Sequence, residues 1–296
     1  MEGPTVFEAH SSYVLGLQFT HEGQGLLSAG MDNVVKLWSV PDWELVRTFE
    51  GHLNSVNSLS LSPDGKRLAT GSTDKTVKLW SFQDGQERHT LQDRKKVVAV
   101  VEISPGGEWV AAGSYGGRVK VWTLSGGEVI GIGASKKNLS SIAFSPQGKA
   151  LAACGLGDDI TVWALPSGER IATLIATLRG HSVAVGSLRF VDGGKQLASL
   201  GYEGTVRFWD TATWRGVRVV ELAGAGVRGM VFSPDEKKVA LSMEGKVQVW
   251  SAAEWELREE LPVSTKVVSS MAFSPDGQWL AAGAADRKIR VWAAPK

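Results

Sequence analysis

The sequence predicts an all-β fold built from a structural repeat, and three observations support this. Tryptophans recur at near-constant spacings of 42, 42, 41, 46, 41 and 42 residues. Between them, apolar and polar residues alternate with a period of two, as in "VNSLSLS" at 56–62, which is typical of strands. Turn sequences such as "PDGK" at 63–66 and "PDGQ" at 275–278 separate these runs. A fixed period of this size indicates a repeat architecture.

Each repeat contains about four short strands. A first alternating run precedes the turn, a second run such as "LATGS" at 68–72 follows it, and a third run ends in the tryptophan. The segment before each Gly-His, such as "TFEGH" at 48–52, forms the fourth strand. The seven endings are Trp38, Trp80, Trp122, Trp163, Trp209, Trp250 and Trp292. No segment has the length or the period of a helix.

The Gly-His starts and the strands that end in tryptophan resemble the WD-repeat β-propeller family. The resemblance covers essentially residues 1–296 and implies one domain, a propeller of seven four-stranded blades around a central channel. The second letter of the family's dipeptide is mostly absent, since only Trp209 is followed by aspartate, Asp210. Serine follows Trp38, Trp80 and Trp250.

Ring closure can be predicted from the N-terminal segment. "VFEAH" at 6–10 mirrors "TFEGH" at 48–52, and only "AAPK" follows Trp292. The last blade therefore lacks its own outer strand, and residues 4–8 are expected to complete it. Such a segment should be ordered, unlike an ordinary terminus.

Three repeats carry a histidine 28 residues before the tryptophan, a hydroxyl residue ten before it and an acidic residue six before it. The sets are His10, Ser28, Asp32 and Trp38; His52, Thr70, Asp74 and Trp80; and His181, Ser199, Glu203 and Trp209. In the family, such side chains form a hydrogen-bonded network inside one blade. Glu203 is one methylene longer than aspartate, and most of the set is missing from blades 3, 4 and 6.

A Ser/His/Asp set also suggests nucleophilic catalysis. The same set recurs at one place in several blades, however, and its hydroxyl is committed to a tryptophan. A structural role explains such repetition, and an active site does not. We therefore expect no enzyme activity.

Two further features stand out. "IATL" occurs twice in tandem at 171–178, which accounts for the spacing of 46 and suggests either an outer strand of blade 4 that tolerates a duplication or an extended edge that pairs with a partner. Trp43, Trp214 and Trp255 each follow a repeat-ending tryptophan by five residues. We expect them in bottom turns, covering the edge of their own blade or forming a binding patch.

The resemblance implies a binding surface on the top face, lined by residues three and five after the histidine position and by the residue before the acidic position. By spacing, the larger side chains there are Tyr13, Leu15, Met31, Tyr115, Leu156, Tyr202, Arg228 and Met243. Aromatic, methionine and arginine side chains are enriched at interface centres. The loops around them carry Lys95, Lys96, Lys136, Lys137 and Lys266. The other channel-side positions that spacing locates are mostly small and apolar.

Composition narrows the possible partners. The 32 basic and 31 acidic residues give a net charge of +1, so bulk charge provides no reason to expect nucleic acid or an anionic membrane. A single cysteine, Cys154, excludes an intrachain disulfide. No signal peptide, membrane span, metal spacing or phosphate loop is evident, and we expect a cytoplasmic monomer without cofactor. The expected function is a non-enzymatic scaffold that binds a peptide segment of another protein. A small-ligand-binding or sensor module of a larger assembly is the alternative.

Overall fold

The computed structural model describes residues 3–92, 96–165, 173–222 and 226–294, and it confirms the all-β prediction. Seven blades surround a central channel, each an antiparallel sheet of four strands. Within a blade the strands follow chain order from the channel outward, so we call them inner, second, third and outer. The alternating runs and Gly-containing turns of the sequence therefore form short strands joined by tight hairpins.

The strands have the following bounds. Blade 1 contains Val14–Phe19, Gly25–Gly30, Val35–Ser39 and Leu45–Phe49; blade 2 contains Val56–Leu61, Arg67–Ser72, Thr76–Ser81 and Glu87–Gln92. Blade 3 contains Val98–Ile103, Trp109–Ser114, Arg118–Thr123 and Glu128–Gly133; blade 4 contains Leu139–Phe144, Ala150–Gly155, Ile160–Ala164 and Thr173–Leu178. Blade 5 contains Val185–Val191, Gln196–Gly201, Thr205–Asp210 and Gly216–Glu221, with a 3-10 turn at Asp192–Gly194. Blade 6 begins with Gly229–Phe232, Lys238–Ser242 and Glu244–Ser251. The long strand Leu257–Phe273 is the outer strand of blade 6 and continues as the inner strand of blade 7, which Trp279–Ala284, Lys288–Ala293 and Thr5–Glu8 complete.

The N-terminal strand closes the ring, as predicted. Thr5–Glu8 pairs antiparallel with the third strand of blade 7, with Phe7 opposite Ile289. The ring of Phe7 also packs 4.9 Å from that of Trp38 in blade 1. The first strand of the chain is thus held by hydrogen bonds to the last blade and by aromatic contact with the first.

The hydrophobic core consists of seven clusters, each between two neighbouring blades. The cluster between blades 1 and 2, for example, contains Leu27 and Phe49 from one blade and Leu68 and Trp80 from the next. Each blade therefore buries both of its faces, and the alternating apolar residues of its strands supply both sides. Packing of this kind makes the ring a rigid support for the loops at its two ends.

Among the described residues, the outer strand of blade 4 is no longer than other outer strands despite the tandem "IATL". This strand, Thr173–Leu178, has six residues, as the outer strands of blades 2 and 5 do. Trp163 lies opposite Leu174, whereas Trp80 lies opposite Glu87, so the four extra residues precede Leu174 along the chain. Ile171 and Ala172 lie outside the described residues.

Candidate functional site

The histidine sets of blades 1 and 2 form linear hydrogen-bonded networks. His52 Nδ1 lies 2.7 Å from Asp74 Oδ2, and His52 Nε2 lies 2.7 Å from Thr70 Oγ1. Trp80 Nε1 donates to the same hydroxyl at 2.8 Å. Because the carboxylate can only accept, Nδ1 carries the imidazole proton and the threonine hydroxyl donates to Nε2. In blade 1 the corresponding distances among Asp32, His10, Ser28 and Trp38 are 2.8, 2.8 and 2.9 Å.

These networks do not resemble an active site. Ser28, Thr70 and Ser199 are fully buried, and each hydroxyl already bonds both an imidazole and an indole. A nucleophile needs an exposed oxygen that can reach a substrate. Burial disfavours the charge of Asp74, yet the hydrogen bonds from Thr76, His52 and the Leu53 amide together lower the pKa of its carboxyl. The ionised carboxylate thus holds the histidine in one tautomer.

Blade 5 keeps the network with one defect. His181 bonds Ser199 Oγ at 2.8 Å, Trp209 bonds the same oxygen at 2.9 Å, and the Glu203 carboxylate accepts from His181. The second carboxylate oxygen, Oε2, is buried without a hydrogen-bond partner among the described residues. In blade 2 both oxygens of Asp74 accept, from Leu53 N at 3.0 Å and Thr76 N at 2.9 Å among others. The extra methylene of Glu203 therefore preserves the histidine bond and leaves the second oxygen without the role that it has in Asp74.

In blades that lack the complete histidine set, the repeat-ending tryptophan or the acidic residue has a different partner or none among the described residues. In blade 6 Trp250 Nε1 donates to Gln248 Oε1 at 3.1 Å, an acceptor that the spacing rule did not anticipate. In blade 7 Asp286 pairs with Arg290 at 2.7 Å rather than with a histidine. In blade 4 the indole N–H of Trp163 has no partner in the described structure, because alanine occupies the hydroxyl position at Ala153.

The predicted top-face residues are joined blade by blade through the backbone. Tyr202 N donates to Ala184 O, Met31 N to Tyr13 O and Tyr115 N to Val97 O, at 2.8–2.9 Å. Leu156 N bonds Asn138 O in the same way at 2.9 Å. The residue before the acidic position and the residue three after the histidine position therefore lie side by side at the same end of the ring.

The exposure of the eight predicted side chains differs. Tyr13, Met31, Tyr115, Leu156 and Tyr202 are exposed apolar or aromatic side chains, with 37–49 % of their surface accessible. Leu15 is half-buried and Arg228 is exposed. Met243 is half-buried because it packs against the core between blades 5 and 6. Seven of the eight side chains thus lie at the top surface or the channel mouth, and Met243 contributes mainly to packing.

A cavity of about 280 Å³ occupies the mouth of the channel. Its wall includes the residues five after the histidine position from six of the seven blades, namely Leu15, Asn57, Ser140, Gly186, Arg228 and Ser269. Most of this wall is hydroxyl, amide or backbone, and Arg228 supplies the positive charge. The mouth of the channel can therefore hold a small polar or anionic group.

Tyr202, Gly186 and Arg228 are immediate neighbours at this mouth. The Tyr202 ring lies directly against Gly186, where any side chain would displace it, and the Arg228 carbonyl lies beside the same glycine. The guanidinium of Arg228 has no hydrogen bond or ion pair with any residue that the structure describes. The Arg228 backbone therefore lies beside the glycine that the Tyr202 ring covers, and the exposed Arg228 side chain belongs to the same channel mouth.

The channel wall below is more polar than expected, which corrects the expectation of small apolar positions. Glu102, Arg189 and Gln18 stand at equivalent places on the inner strands of blades 3, 5 and 1. Glu102 Oε2 accepts from Phe144 N at 3.0 Å, and burial raises the pKa of its carboxyl to about 7 despite this bond and the nearby Arg189. Counting eight residues on from the histidine position would have located all three.

The loop lysines surround the top face unevenly. Lys96, Lys136, Lys137 and Lys266 are exposed, and the Lys96 side chain lies over Gly116 beside Tyr115. Lys95 lies outside the described residues. The positive charge is therefore concentrated near blades 3 and 4, where the histidine sets are absent.

The turn tryptophans pack differently from expectation. Trp43 and Trp255 are buried and Trp214 is half-buried, so they do not form an exposed bottom patch. Trp43 contacts Trp279 of blade 7, and Trp255 contacts Phe208 of blade 5, each with ring centroids 5.8 Å apart. They cover the preceding blade rather than the edge of their own blade.

The described residues contain neither a metal-ligand cluster nor a membrane-spanning helix. No group of three or more His, Cys, Asp or Glu side chains in this part of the chain is placed to hold a metal ion. Within the same residues, no helix has the length and hydropathy of a membrane span.

Comparison with known proteins agrees with this geometry. The family model described as "WD domain, G-beta repeat" matches residues 3–39, 43–81, 85–123, 172–210 and 255–293. No curated protein matches the chain. The matched repeats end at tryptophans of blades 1, 2, 3, 5 and 7, and the structure supplies blades 4 and 6, whose sequences have lost most of the set. WD40 repeats generally serve as protein-interaction scaffolds and are typically not enzymes. With five matched repeats and a closed ring of seven blades, the chain belongs to the WD40 repeat family.

Proposed function

We propose that the protein is a scaffold whose top face binds a peptide segment of a partner protein across the channel mouth. The observation that carries this proposal is the cluster of Tyr202, Gly186 and Arg228, where an exposed aromatic ring and an exposed arginine flank one glycine at the channel mouth. Such pairs of an aromatic anchor and an arginine are frequent at the energetic centre of interfaces.

The surface around this cluster suggests what the peptide contains. Tyr13, Met31, Tyr115 and Leu156 give it an apolar, exposed rim. None of the eight predicted top-face residues is acidic, and Lys96 adds positive charge near Tyr115. An apolar segment with one acidic side chain or a C-terminal carboxylate complements this surface, because the carboxylate can form paired hydrogen bonds with Arg228.

The site uses residues on the ends of rigid strands. Backbone bonds such as Tyr202 N to Ala184 O, at 2.9 Å, hold the contributing turns against one another. A surface organised in this way before binding loses little conformational entropy on association. We therefore propose a single domain that acts as a preformed platform.

Affinity capture from the native lysate tests the proposal. The comparison is between the wild type and a folded Tyr115→Ala/Tyr202→Ala/Arg228→Ala variant. Val217→Ala/Val219→Ala, on the exposed outer strand of blade 5, is the matched control. Partners lost from the top-face variant and kept by the control support the proposal. Identical partner sets for all three proteins contradict it.

The channel itself favours a second candidate, the binding of a small anionic ligand. A lower cavity of about 400 Å³ is lined by Gln18 and Arg189, within the range of small-molecule sites. Because the pKa of Glu102 is raised to about 7, its carboxyl is only partly ionised near neutral pH and neutralises Arg189 only in part. Calorimetric titration with small carboxylic acids, repeated on Arg189→Gln, separates this candidate from the peptide platform.

A further inference from the structure

The hairpin turn between the third and outer strands has one position in left-handed conformation. Tryptophan occupies it in three blades, as Trp43, Trp214 and Trp255, with φ of 56–58°. Glycine occupies it in blade 2 as Gly85, with φ of 74°, and the turn of blade 3, which is one residue shorter, has Gly126 with φ of 94° before its outer strand. A bulky residue in this region is a backbone outlier, so its side chain must gain enough by packing to offset the strain.

The packing gain is visible between blades. We call the bottom space between one blade and the turn of the next a notch. Trp43 fills the notch between blades 7 and 1 by contacting Trp279, and Trp255 fills the notch between blades 5 and 6 by contacting Phe208. Trp214 packs against the cluster between blades 4 and 5. Three notches are thus occupied by the indole of the chain itself.

The two notches whose turn residue is glycine are open. A cavity of about 380 Å³ lies between blades 1 and 2, and one of about 390 Å³ lies between blades 2 and 3. In the cavity between blades 1 and 2, Leu37 stands at the repeat position that Phe208 holds in blade 5, directly before the repeat-ending tryptophan. Gly25 stands at the repeat position that Trp279 holds in blade 7. The wall that an internal indole would cover is therefore present, without the indole.

Two side chains flank this open notch without filling it. The Arg47 stem lies against Gly85, and its Nη1 donates to Phe82 O at 2.6 Å. The Phe82 ring stacks on Phe49 at 6.4 Å and forms one wall. The remaining space is bounded by Leu37, Trp38 and the exposed Val46.

The two open notches differ in the charge of the residues that line them. The lining of the notch between blades 1 and 2 includes the acidic Glu22 and Asp64 and no lysine or arginine, and the guanidinium of the flanking Arg47 is bonded to Phe82 O. The notch between blades 2 and 3 is lined by Lys66, Arg67 and Arg88, without a carboxylate. The same apolar hollow thus carries an anionic rim in one place and a cationic rim in the other.

From these observations we propose that the notch between blades 1 and 2 binds an aromatic side chain, of indole size, from a cationic peptide segment of a partner protein. The three occupied notches show which side chain fits, and the Glu22 and Asp64 carboxylates select a segment with lysine or arginine beside it. This site lies on the face opposite to the proposed top-face platform and is independent of it.

A peptide titration followed by methyl NMR tests the site. The probe is acetyl-Lys-Trp-Lys-amide, compared with acetyl-Lys-Ala-Lys-amide and acetyl-Glu-Trp-Glu-amide. We expect saturable shifts of the Leu37, Val46 and Leu61 methyls with the probe, and at least tenfold weaker binding of the two comparison peptides. Equal binding of all three peptides, shifts centred on Leu79 of the neighbouring notch, or no shift at millimolar probe overturns the proposal.

Two glycine substitutions provide a matched pair. Gly85→Trp places an indole in the notch, in a backbone conformation that tryptophan adopts in three other blades, with only the flexible Arg47 stem to be displaced. Gly126→Trp does the same in the next notch. We expect Gly85→Trp to weaken probe binding at least tenfold and Gly126→Trp to leave it unchanged. The opposite pattern, or no effect of Gly85→Trp, contradicts the assignment.

A charge reversal keeps the proposal testable if Gly85→Trp does not fold. Glu22 is exposed and has no hydrogen bond or ion pair among the described residues, so Glu22→Lys should fold normally. Glu22→Lys should weaken binding of the Lys-Trp-Lys probe and strengthen binding of the Glu-Trp-Glu peptide. Each affinity should change about threefold or more, an effect the size of one exposed charge pair. Unchanged affinities for both peptides refute the role of the acidic rim.

Discussion

Replacing Asp74 by alanine tests whether the histidine network stabilises its blade. The carboxylate accepts four hydrogen bonds, from His52 Nδ1 at 2.7 Å, Leu53 N at 3.0 Å, Thr76 N at 2.9 Å and Thr76 Oγ1 at 2.6 Å. Alanine removes every one of these acceptors. The variant therefore leaves these donors without the carboxylate that they share, while alanine should keep the backbone conformation of the turn.

The magnitude follows from which donors water can reach. His52 is buried, with 7 % of its surface exposed, so its Nδ1–H loses the carboxylate and keeps only the long contact with Thr76 Oγ1 at 3.4 Å. The Leu53 amide bond is exposed, and water can take the place of the carboxylate there. One buried unsatisfied donor costs about 1–3 kcal/mol, which is the expected loss of unfolding free energy.

Urea denaturation at pH 7.5 measures this loss. The control is Asp158→Ala, in the corresponding turn of blade 4, where Gly157 occupies the acidic position and Asp158 is exposed. A surface substitution of this kind should change the unfolding free energy by less than about 0.5 kcal/mol. If the Asp74→Ala midpoint coincides with the wild type or with the control, the stabilising role of the network is refuted.

The penalty should grow as the pH falls from 7.5 to 5.5. Burial lowers the pKa of His52 from its ordinary value of 6.5, and the bond to Asp74 opposes this effect. Without Asp74 the folded pKa falls further, so below pH 6.5 the unfolded chain takes up protons that the folded variant cannot. The stability that depends on a neutral His52 is fully present above pH 6.5 and is lost as the pH falls toward the lowered folded pKa. The loss is larger in the variant than in the wild type. A penalty that shrinks over this range contradicts the assignment.

Four further predictions follow from the same structure. Deletion of residues 1–8 removes the strand that closes the ring, so a large fall in melting temperature is expected, and an unchanged value would disprove closure. Glu203→Asp should raise the free energy of unfolding by about 1 kcal/mol, seen as a higher urea midpoint, because the shorter carboxylate can accept backbone bonds with the oxygen that lacks a partner in Glu203. Trp255→Ala should cost about 3 kcal/mol in the same assay and Trp255→Phe clearly less, because phenylalanine keeps the contact with Phe208 and discards an unpaired N–H. Burial raises the pKa of Glu102 to about 7, so between pH 4.5 and 7 the folded protein holds a proton that the unfolded chain releases, and stability is lost as the pH rises through this range. Glu102→Gln, which cannot ionise, should therefore stabilise the protein more at pH 8 than at pH 5.

The sequence predicted the repeat and the networks because both depend on spacing along the chain. The offset between His52 and Trp80 is the same in three blades, and a constant offset within a repeated hairpin places the same side chains together each time. The top-face positions followed from the same counting, and their turns lie paired as adjacent backbone segments. Gln248 escaped the rule because it substitutes from a different strand position.

Features between blades could not be predicted in this way. Trp43 reaches Trp279 of the last blade, more than two hundred residues away along the chain, so its partner depends on how the ring closes. Glu102 and Arg189 belong to blades 3 and 5, and only the channel brings them near each other. A spacing rule within one repeat cannot predict a contact between residues of two different blades.

The amino-acid sequence alone determined the all-β class, the seven repeats, the strand that closes the ring and the histidine sets, since each depends on local alternation or on a fixed offset. Only the tertiary structure decided which surfaces are open. Whether a notch is filled depends on one turn residue, tryptophan or glycine, packing against the neighbouring blade. Whether a channel residue is paired depends on side chains that converge from several blades. Both are consequences of packing seven similar sheets around one axis, where contacts between repeats, rather than within them, create the cavities.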